Sequence, residues 1–158
     1  MEYSDLDEID CRLLEALQHD ASLSNVALAE RVHVSAPTCL RRVKRLVEAG
    51  WIERQVVILS RDKLGHGLQA LVEITLDRQG SEQLDAFEAR AVAEAAVQQC
   101  WRVSPGPDFM LVIQVPDMPA YLLLTQRLFT QDANVRNVKA FFATKRAKFG
   151  TQIALPTR

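Results

Sequence analysis

Residues 35–50, Ser-Ala-Pro-Thr-Cys-Leu-Arg-Arg-Val-Lys-Arg-Leu-Val-Glu-Ala-Gly, constrain the fold more than any other stretch of this chain. At 100° per residue, Leu40, Val43, Leu46 and Val47 fall on one side of a helix. Thr38, Arg41, Arg42 and Arg45 fall on the other, with Lys44 at the flank. Ser35 can cap the first turn, and Pro37 is tolerated there because the donor it lacks would be orphaned anyway. Gly50 can end the helix in a left-handed conformation. The pattern predicts a helix packed on protein along one side and presenting a basic face, with no nearby acid, along the other. Such a face can enter a major groove, where arginines meet phosphates or the acceptor edge of guanine. A solvated surface helix is the plainer reading of the same charges, so the preceding segments decide between them.

Those segments supply a scaffold. Leu6, Ile9, Leu13, Leu14 and Leu17 recur at three- and four-residue steps, which predicts a first helix over residues 6–18. Ser24 caps a short second helix over residues 25–32, with Val26, Leu28, Ala29 and Val32 turned to the core. His33 and Val34 form the tight turn into the basic helix. Three short helices, the last two joined by a turn and the last one basic, make a helix-turn-helix. The charge is local: residues 1–10 carry five acids and no base and residues 41–45 four bases and no acid, whereas the whole chain has net charge −1. That balance argues against a protein that coats DNA and is compatible with a basic patch.

Beyond Gly50 the periodicity changes. Residues 51–59 are apolar and β-branched, predicting a small wing and a linker strand, with Trp51 in the core. The polar, glycine-bearing residues 60–67 mark a boundary. Leu68, Ala70, Val72, Ile74 and Leu76 alternate with mostly polar residues as in a half-buried strand. Helical spacing follows over residues 81–97, strands over 98–104 and 109–115, a helix over 118–130 and a final strand over 137–144. The order is βαββαβ, so the fold class is α+β: an N-terminal winged helix-turn-helix domain over residues 1–60 and a C-terminal ferredoxin-like sandwich over residues 61–158. Two helices cover one face of such a sheet. Leu71 and Val112 would lie on the other, which predicts a dimer made by stacking two sheets.

With both halves in view, the chain resembles the Lrp/AsnC (leucine-responsive/asparagine-operon regulator) family of transcription factors over nearly its whole length. The residues that carry the resemblance are Leu6-Asp7-Glu8-Ile9-Asp10, the segment 24–32, Cys39-Leu40-Arg41-Arg42-Val43-Lys44-Arg45-Leu46, Lys63-Leu64-Gly65 and Val115-Pro116-Asp117. The resemblance implies double-stranded DNA as a partner, contacted from Ser35, Pro37, Thr38, Arg41, Arg42, Lys44 and Arg45. It also implies sheet-paired homodimers that assemble further, commonly into octamers, and a small amino acid bound by the C-terminal domain at an inter-subunit site. The loop Ser104, Pro105, Gly106, Pro107, Asp108 corresponds to the family's effector loop, and Ala140 to a last-strand effector position. Asp108 would pair with an effector ammonium, or else cap its own loop. Backbone donors around Gly106 would take the carboxylate. Two departures alter the expected preference. Proline stands at 105 where the family usually has glycine, removing a donor, and Ala140-Phe141 replaces small hydroxyl residues. Ala27 also stands where a capping box would place glutamate after Ser24.

The other function classes find less support in the sequence. Asp108, Cys100, His66 and Thr151 have no partner at a catalytic spacing, no glycine-rich phosphate loop follows a strand, and the three histidines are scattered, so neither an enzyme nor a metal site is expected. The three cysteines are far apart and form no CxxC pair, as in a reducing cytoplasm, and no signal peptide or membrane span is read. The expectation is therefore a cytoplasmic, sequence-specific DNA-binding regulator with no cofactor beyond an amino-acid effector. The alternative is an effector-independent architectural DNA-binding protein using the same helix and oligomer.

Overall fold

A computed structural model describes residues 6–65 and 67–155. His66 therefore lies outside the described residues. The chain forms two compact units, one running to Ile58 and including the segment from Lys148, the other Leu59–Ala147. The C-terminal segment from Lys148 thus groups with the first unit.

The first unit, the reader, holds α1 (Glu8–His19), α2 (Asn25–Arg31) and α3 (Ala36–Glu48). Asp7 caps α1 in a reciprocal box: the Asp10 amide donates to the Asp7 carboxylate at 2.9 Å, and the Asp7 amide donates to Asp10 at 3.1 Å. Ser24 and Ser35 cap α2 and α3, each accepting from the amide three residues on. His33 supplies the left-handed residue that the turn between them requires (φ 59°), and the Asn25 side chain donates to the Ala36 carbonyl at 2.8 Å, fixing α2 to the start of α3. Gly50 (φ 77°) ends the run. Leu6, Leu13, Leu14, Leu28, Ala29, Val32, Cys39 and Leu46 form the core, with Trp51, Ile52 and Leu155 packed at its margin. Val26, expected in that core, is exposed.

Residues 53–60 are irregular and exposed, not a wing or a linker strand. Their β-branched side chains favour a pleated surface, but a strand needs a neighbour to hydrogen-bond, and none lies alongside them among the described residues.

The second unit, labelled the sensor after the role that the family resemblance implies, contains β1 (Leu68–Leu76), α4 (Ser81–Ala93), β2 (Val97–Arg102), β3 (Phe109–Val115), α5 (Met118–Thr125) and β4 (Val135–Phe142). A π-helical turn, Gln126–Thr130, continues α5. The sheet is antiparallel throughout, in the order β2-β3-β1-β4, which is the ferredoxin-like arrangement. Register places Val72 between Leu111 and Ala140, and Ile74 between Phe109 and Val138. Alternate residues of β1 and β3 pack under the helices with Phe87, Ala91, Tyr121, Leu124, Leu128 and Phe129. The Phe87 and Phe109 rings sit 4.9 Å apart and Tyr121 meets Phe142 edge-on at 5.0 Å. The opposite face carries Leu71, Val112, Trp101 and Phe141 without a covering helix.

Candidate nucleic-acid interface and effector loop

In the reader, α3 is rotated from the phase its apolar residues indicate. Cys39 and Leu46 are buried and Val43 is half-buried, but Leu40 is 61% and Val47 49% exposed. Arg42 occupies the inward arc between Cys39 and Leu46, and its side chain is only 20% exposed. What makes that burial tolerable is Asp10, whose carboxylate is 1% exposed. Arg42 Nη1 donates to Asp10 Oδ1 at 2.9 Å and to Asp7 Oδ2 at 2.6 Å. Arg45 Nη2 pairs with Asp10 Oδ2. Burial pushes the Asp7 carboxyl up, but the Asp10 amide and the Arg42 guanidinium outweigh it and hold it below the usual carboxylate range. The same acids raise the Arg42 guanidinium above its ordinary value.

The basic face is therefore not free of acid, as its local sequence implied. Arg42 is an internal ion-pair partner. Arg45 stays half-exposed with one edge held by Asp10. Arg41 is exposed and makes no ion pair among the described residues, and Lys44 has only a loose surface pair with Glu48 at 3.7 Å. Ser35 and Pro37 are exposed at the N-terminal end of the helix, beside half-buried Thr38, whose hydroxyl lies 2.9 Å from that of Ser35. The outward set is thus Ser35, Pro37, Thr38, Arg41 and Lys44, with part of Arg45. Asp7 and Asp10, which pair with two of the cations of α3, are absent from the residues that the sequence singles out for the interface. Their signal was present as an acidic pair three residues apart at a helix start, but its partners lie over thirty residues away in the chain.

In the sensor, the loop between β2 and β3 closes on Asp108. The Val103 amide donates to the Asp108 carbonyl at 3.0 Å, and the Asp108 amide donates to Ile74 at 2.8 Å. Asp108 Oδ2 accepts from the Leu76 amide at 2.7 Å and from the Gln79 side chain at 3.3 Å. The carboxylate caps its loop and the end of β1. Its other oxygen accepts no hydrogen bond among the described residues. Ser104, Pro105 and Gly106 are exposed, Pro107 and Asp108 half-buried, and Gly106 takes φ 122°, a conformation that L side chains avoid.

Ala140 does not join this loop. On β4 it pairs with Val72 of β1 and packs against the helix-covered core. From β3, where the loop ends, β1 intervenes, so β4 lies about 10 Å away at ordinary strand spacing. No three histidine, cysteine or acidic side chains among the described residues could hold a metal, and no described helix is long and apolar enough to cross a membrane.

Known proteins show the same two parts in the same order. Residues 6–53 match the winged helix-turn-helix DNA-binding family, and residues 69–153 match the Lrp/AsnC ligand-binding domain. The leucine-responsive regulatory protein of Rhizobium meliloti is 35% identical over 151 residues, covering 96% of this chain and 97% of that one. Its counterpart in Escherichia coli K12 is 33% identical over 154 residues, covering 98% and 94%. Among solved structures, a transcriptional regulator of Neisseria meningitidis in complex with L-Met superposes with a TM-score of 0.89 at 29% identity, covering 94% of this chain and 96% of that one. An AsnC family regulator of Agrobacterium tumefaciens gives 0.88, also at 29% identity, covering 94% and 97%. A capped helix-turn-helix followed by a ferredoxin-like ligand-binding domain, matched along almost the full length by such relatives, places the chain in the Lrp/AsnC family of DNA-binding transcriptional regulators.

Proposed function

We propose that the chain is a sequence-specific regulator that lays the outward face of α3 in the major groove and is tuned by a small amino acid bound between subunits of its C-terminal domain. The observation that carries the DNA half is the outward set on α3: a capped N-terminal end at Ser35, Pro37 and Thr38, then Arg41 and Lys44 on one exposed ridge. Recognition helices contact base edges through their N-terminal residues, while cations on the following turns meet phosphates. Arg41 is the residue best placed to take either role.

The effector half rests on how the sensor distributes its residues. Asp108 retains one carboxylate oxygen for an ammonium, and exposed backbone around Gly106 offers donors to a carboxylate. Ala140 lies across the sheet on its helix-covered face, so the exposed loop between β2 and β3 carries the ligand reading by itself. The open sheet face with Leu71, Val112, Trp101 and Phe141 supports a sheet-to-sheet dimer, which the family's octamers would be built from. The L-Met held by the Neisseria relative makes an apolar amino acid the first to try.

Two measurements test this. Arg41→Ala should weaken duplex binding by about 1–3 kcal/mol for a base contact, or flatten its salt dependence for a phosphate contact. Unchanged affinity together with an unchanged salt slope would take α3 out of the groove. A thermal-shift screen of the common amino acids should reveal a ligand that raises the melting temperature. No shift with any of them, together with intact DNA binding, would favour an effector-independent architectural protein.

A further inference from the structure

We propose that Asp10 sets the charge which α3 presents to DNA: it neutralises Arg42 and Arg45 from behind, leaving Arg41 and Lys44 as the phosphate-facing cations. The proposal rests on the reading of α3 as the groove helix and adds a positioning residue on a different element, α1.

Asp10 is the one charged residue among the described residues whose burial is essentially complete. A carboxylate withdrawn from water needs both lone-pair directions satisfied and its charge compensated. Asp10 meets both demands through α3. Oδ1 takes Arg42 at 2.9 Å, and Oδ2 takes Arg45 together with the Asp7 amide at 3.1 Å. Asp7 adds a second carboxylate on Arg42 at 2.6 Å. Two acids and two guanidiniums make a cluster of zero formal charge, of which only Arg45 and Asp7 are substantially exposed. Arg42 cannot turn outward without stripping the buried Oδ1 of Asp10 of its donor. Arg45 can reach a phosphate only in competition with a carboxylate already fixed against it. Arg41 and Lys44 face no such competitor beyond the loose Glu48 pair.

The consequence is countable. Each phosphate neutralised on duplex DNA contributes about −0.9 to the slope of log affinity against log salt. Four equally available cations at positions 41–45 would give about −3.6 per subunit from this segment, and two would give about −1.8.

The test uses the full chain and a fluorescein-labelled mixed-sequence duplex of about 30 base pairs, long enough for two half-sites. Anisotropy titrations at several salt concentrations give the slope. Asp10→Asn keeps the shape and removes the charge, so the slope should steepen by about 0.9 per bound subunit, an extra loss of about 3.5-fold per subunit between 50 and 200 mM salt. Adding Arg45→Gln to that variant should restore the wild-type slope. A merely structural Asp10 would lower affinity equally at every salt concentration and leave the slope alone, and that result overturns the proposal. Should Asp10→Asn melt too low to assay, Arg45→Gln in the otherwise wild-type chain decides. It should flatten the slope by less than half the effect of Arg41→Ala. Equal flattening by the two would show Arg45 to be a free phosphate contact and refute the role of Asp10. Wild-type binding without any salt dependence would instead overturn the placement of α3 on DNA.

Discussion

Replacing Arg42 with alanine should destabilise the reader while leaving its DNA contacts largely in place. This reverses what the helix pattern implies, namely that Arg41 and Arg42 are equivalent exposed cations whose loss leaves the fold unharmed. Removing one partner of a buried ion pair typically costs about 3–5 kcal/mol, because the other charge is left behind in a poor solvent. Two features reduce the figure here. Asp10 keeps Arg45 and the Asp7 amide, and the leg from Arg42 to Asp7 ends on a half-exposed carboxylate, where a pair contributes about 0–1 kcal/mol. Lost packing of the arginine stem between Cys39 and Leu46 acts in the opposite direction. The expected net loss is about 2–3 kcal/mol, against less than about 0.5 kcal/mol for Arg41→Ala at an exposed position. Urea titration followed by Trp51 fluorescence reads this directly. Trp51 packs at the margin of the reader core, and Trp101→Phe silences the exposed indole of the sensor. Stability within about 0.5 kcal/mol of wild type, combined with a flattened salt dependence of DNA binding, would make Arg42 a DNA contact and refute the burial argument.

Asp108→Ala should lower sensor stability by about 1–2 kcal/mol even without any ligand, since the Leu76 amide loses its acceptor; thermal melting of the residue 59–147 unit in the full chain, followed by Trp101 in a Trp51→Phe background, checks it. The same substitution should abolish the heat of binding of any amino acid found by thermal shift, and an unchanged calorimetric titration would move the effector site away from this loop. Asp7, depressed in the folded reader, binds fewer protons there than in the unfolded chain, so its contribution is present above about pH 4 and lost as acidification passes through the folded value. Acid titration of Asp7→Asn should therefore show a shallower loss of reader stability below that pH than wild type does. Truncation after Ala147 should destabilise the reader by about 1–3 kcal/mol, because two hydrogen bonds and the half-buried Leu155 are removed; unchanged urea midpoints would show the C-terminal segment to be idle.

Much of the architecture is legible in the sequence because it follows from short-range periodicity. Leu13 and Leu14 recur on the buried arc of α1, and Ala70, Val72, Ile74 and Leu76 point to one face because strand side chains alternate. The phase of α3 is not legible in this way. Leu40, Val43, Leu46 and Val47 make the more apolar arc, whereas the arc actually buried includes an arginine. Only a carboxylate 32 residues upstream makes that arc acceptable, and a local hydrophobic pattern carries no trace of it. The segment 53–60 shows the complementary failure: its propensity for strand is real, but pairing is a property of neighbours. Ala140 was placed at the effector site by resemblance alone. Its pairing with buried Val72 turns it to the helix-covered face. Asp108, to which the sequence assigns two roles, performs the capping one through Oδ2.

The C-terminal segment adds a physical link that neither half of the sequence pattern contains. The chain leaves the reader through residues 53–58, builds the sensor, and returns from Lys148 to the reader. Its attachment there is slight. The Gln18 side chain donates to the Ile153 carbonyl at 3.1 Å and accepts from the Ile153 amide at 2.6 Å, and Leu155 touches the core margin. Between this segment and α1 remains a cleft of about 440 Å³ bordered by Glu8, Cys11, Arg12, Glu15 and His19, so the strap is clasped at points and not packed along its length. Two such hydrogen bonds and one half-buried leucine are together worth about 1–3 kcal/mol. At that energy the undocked form is populated at between about one part in six and about one part in 160, within reach of the differential affinity of an ordinary ligand.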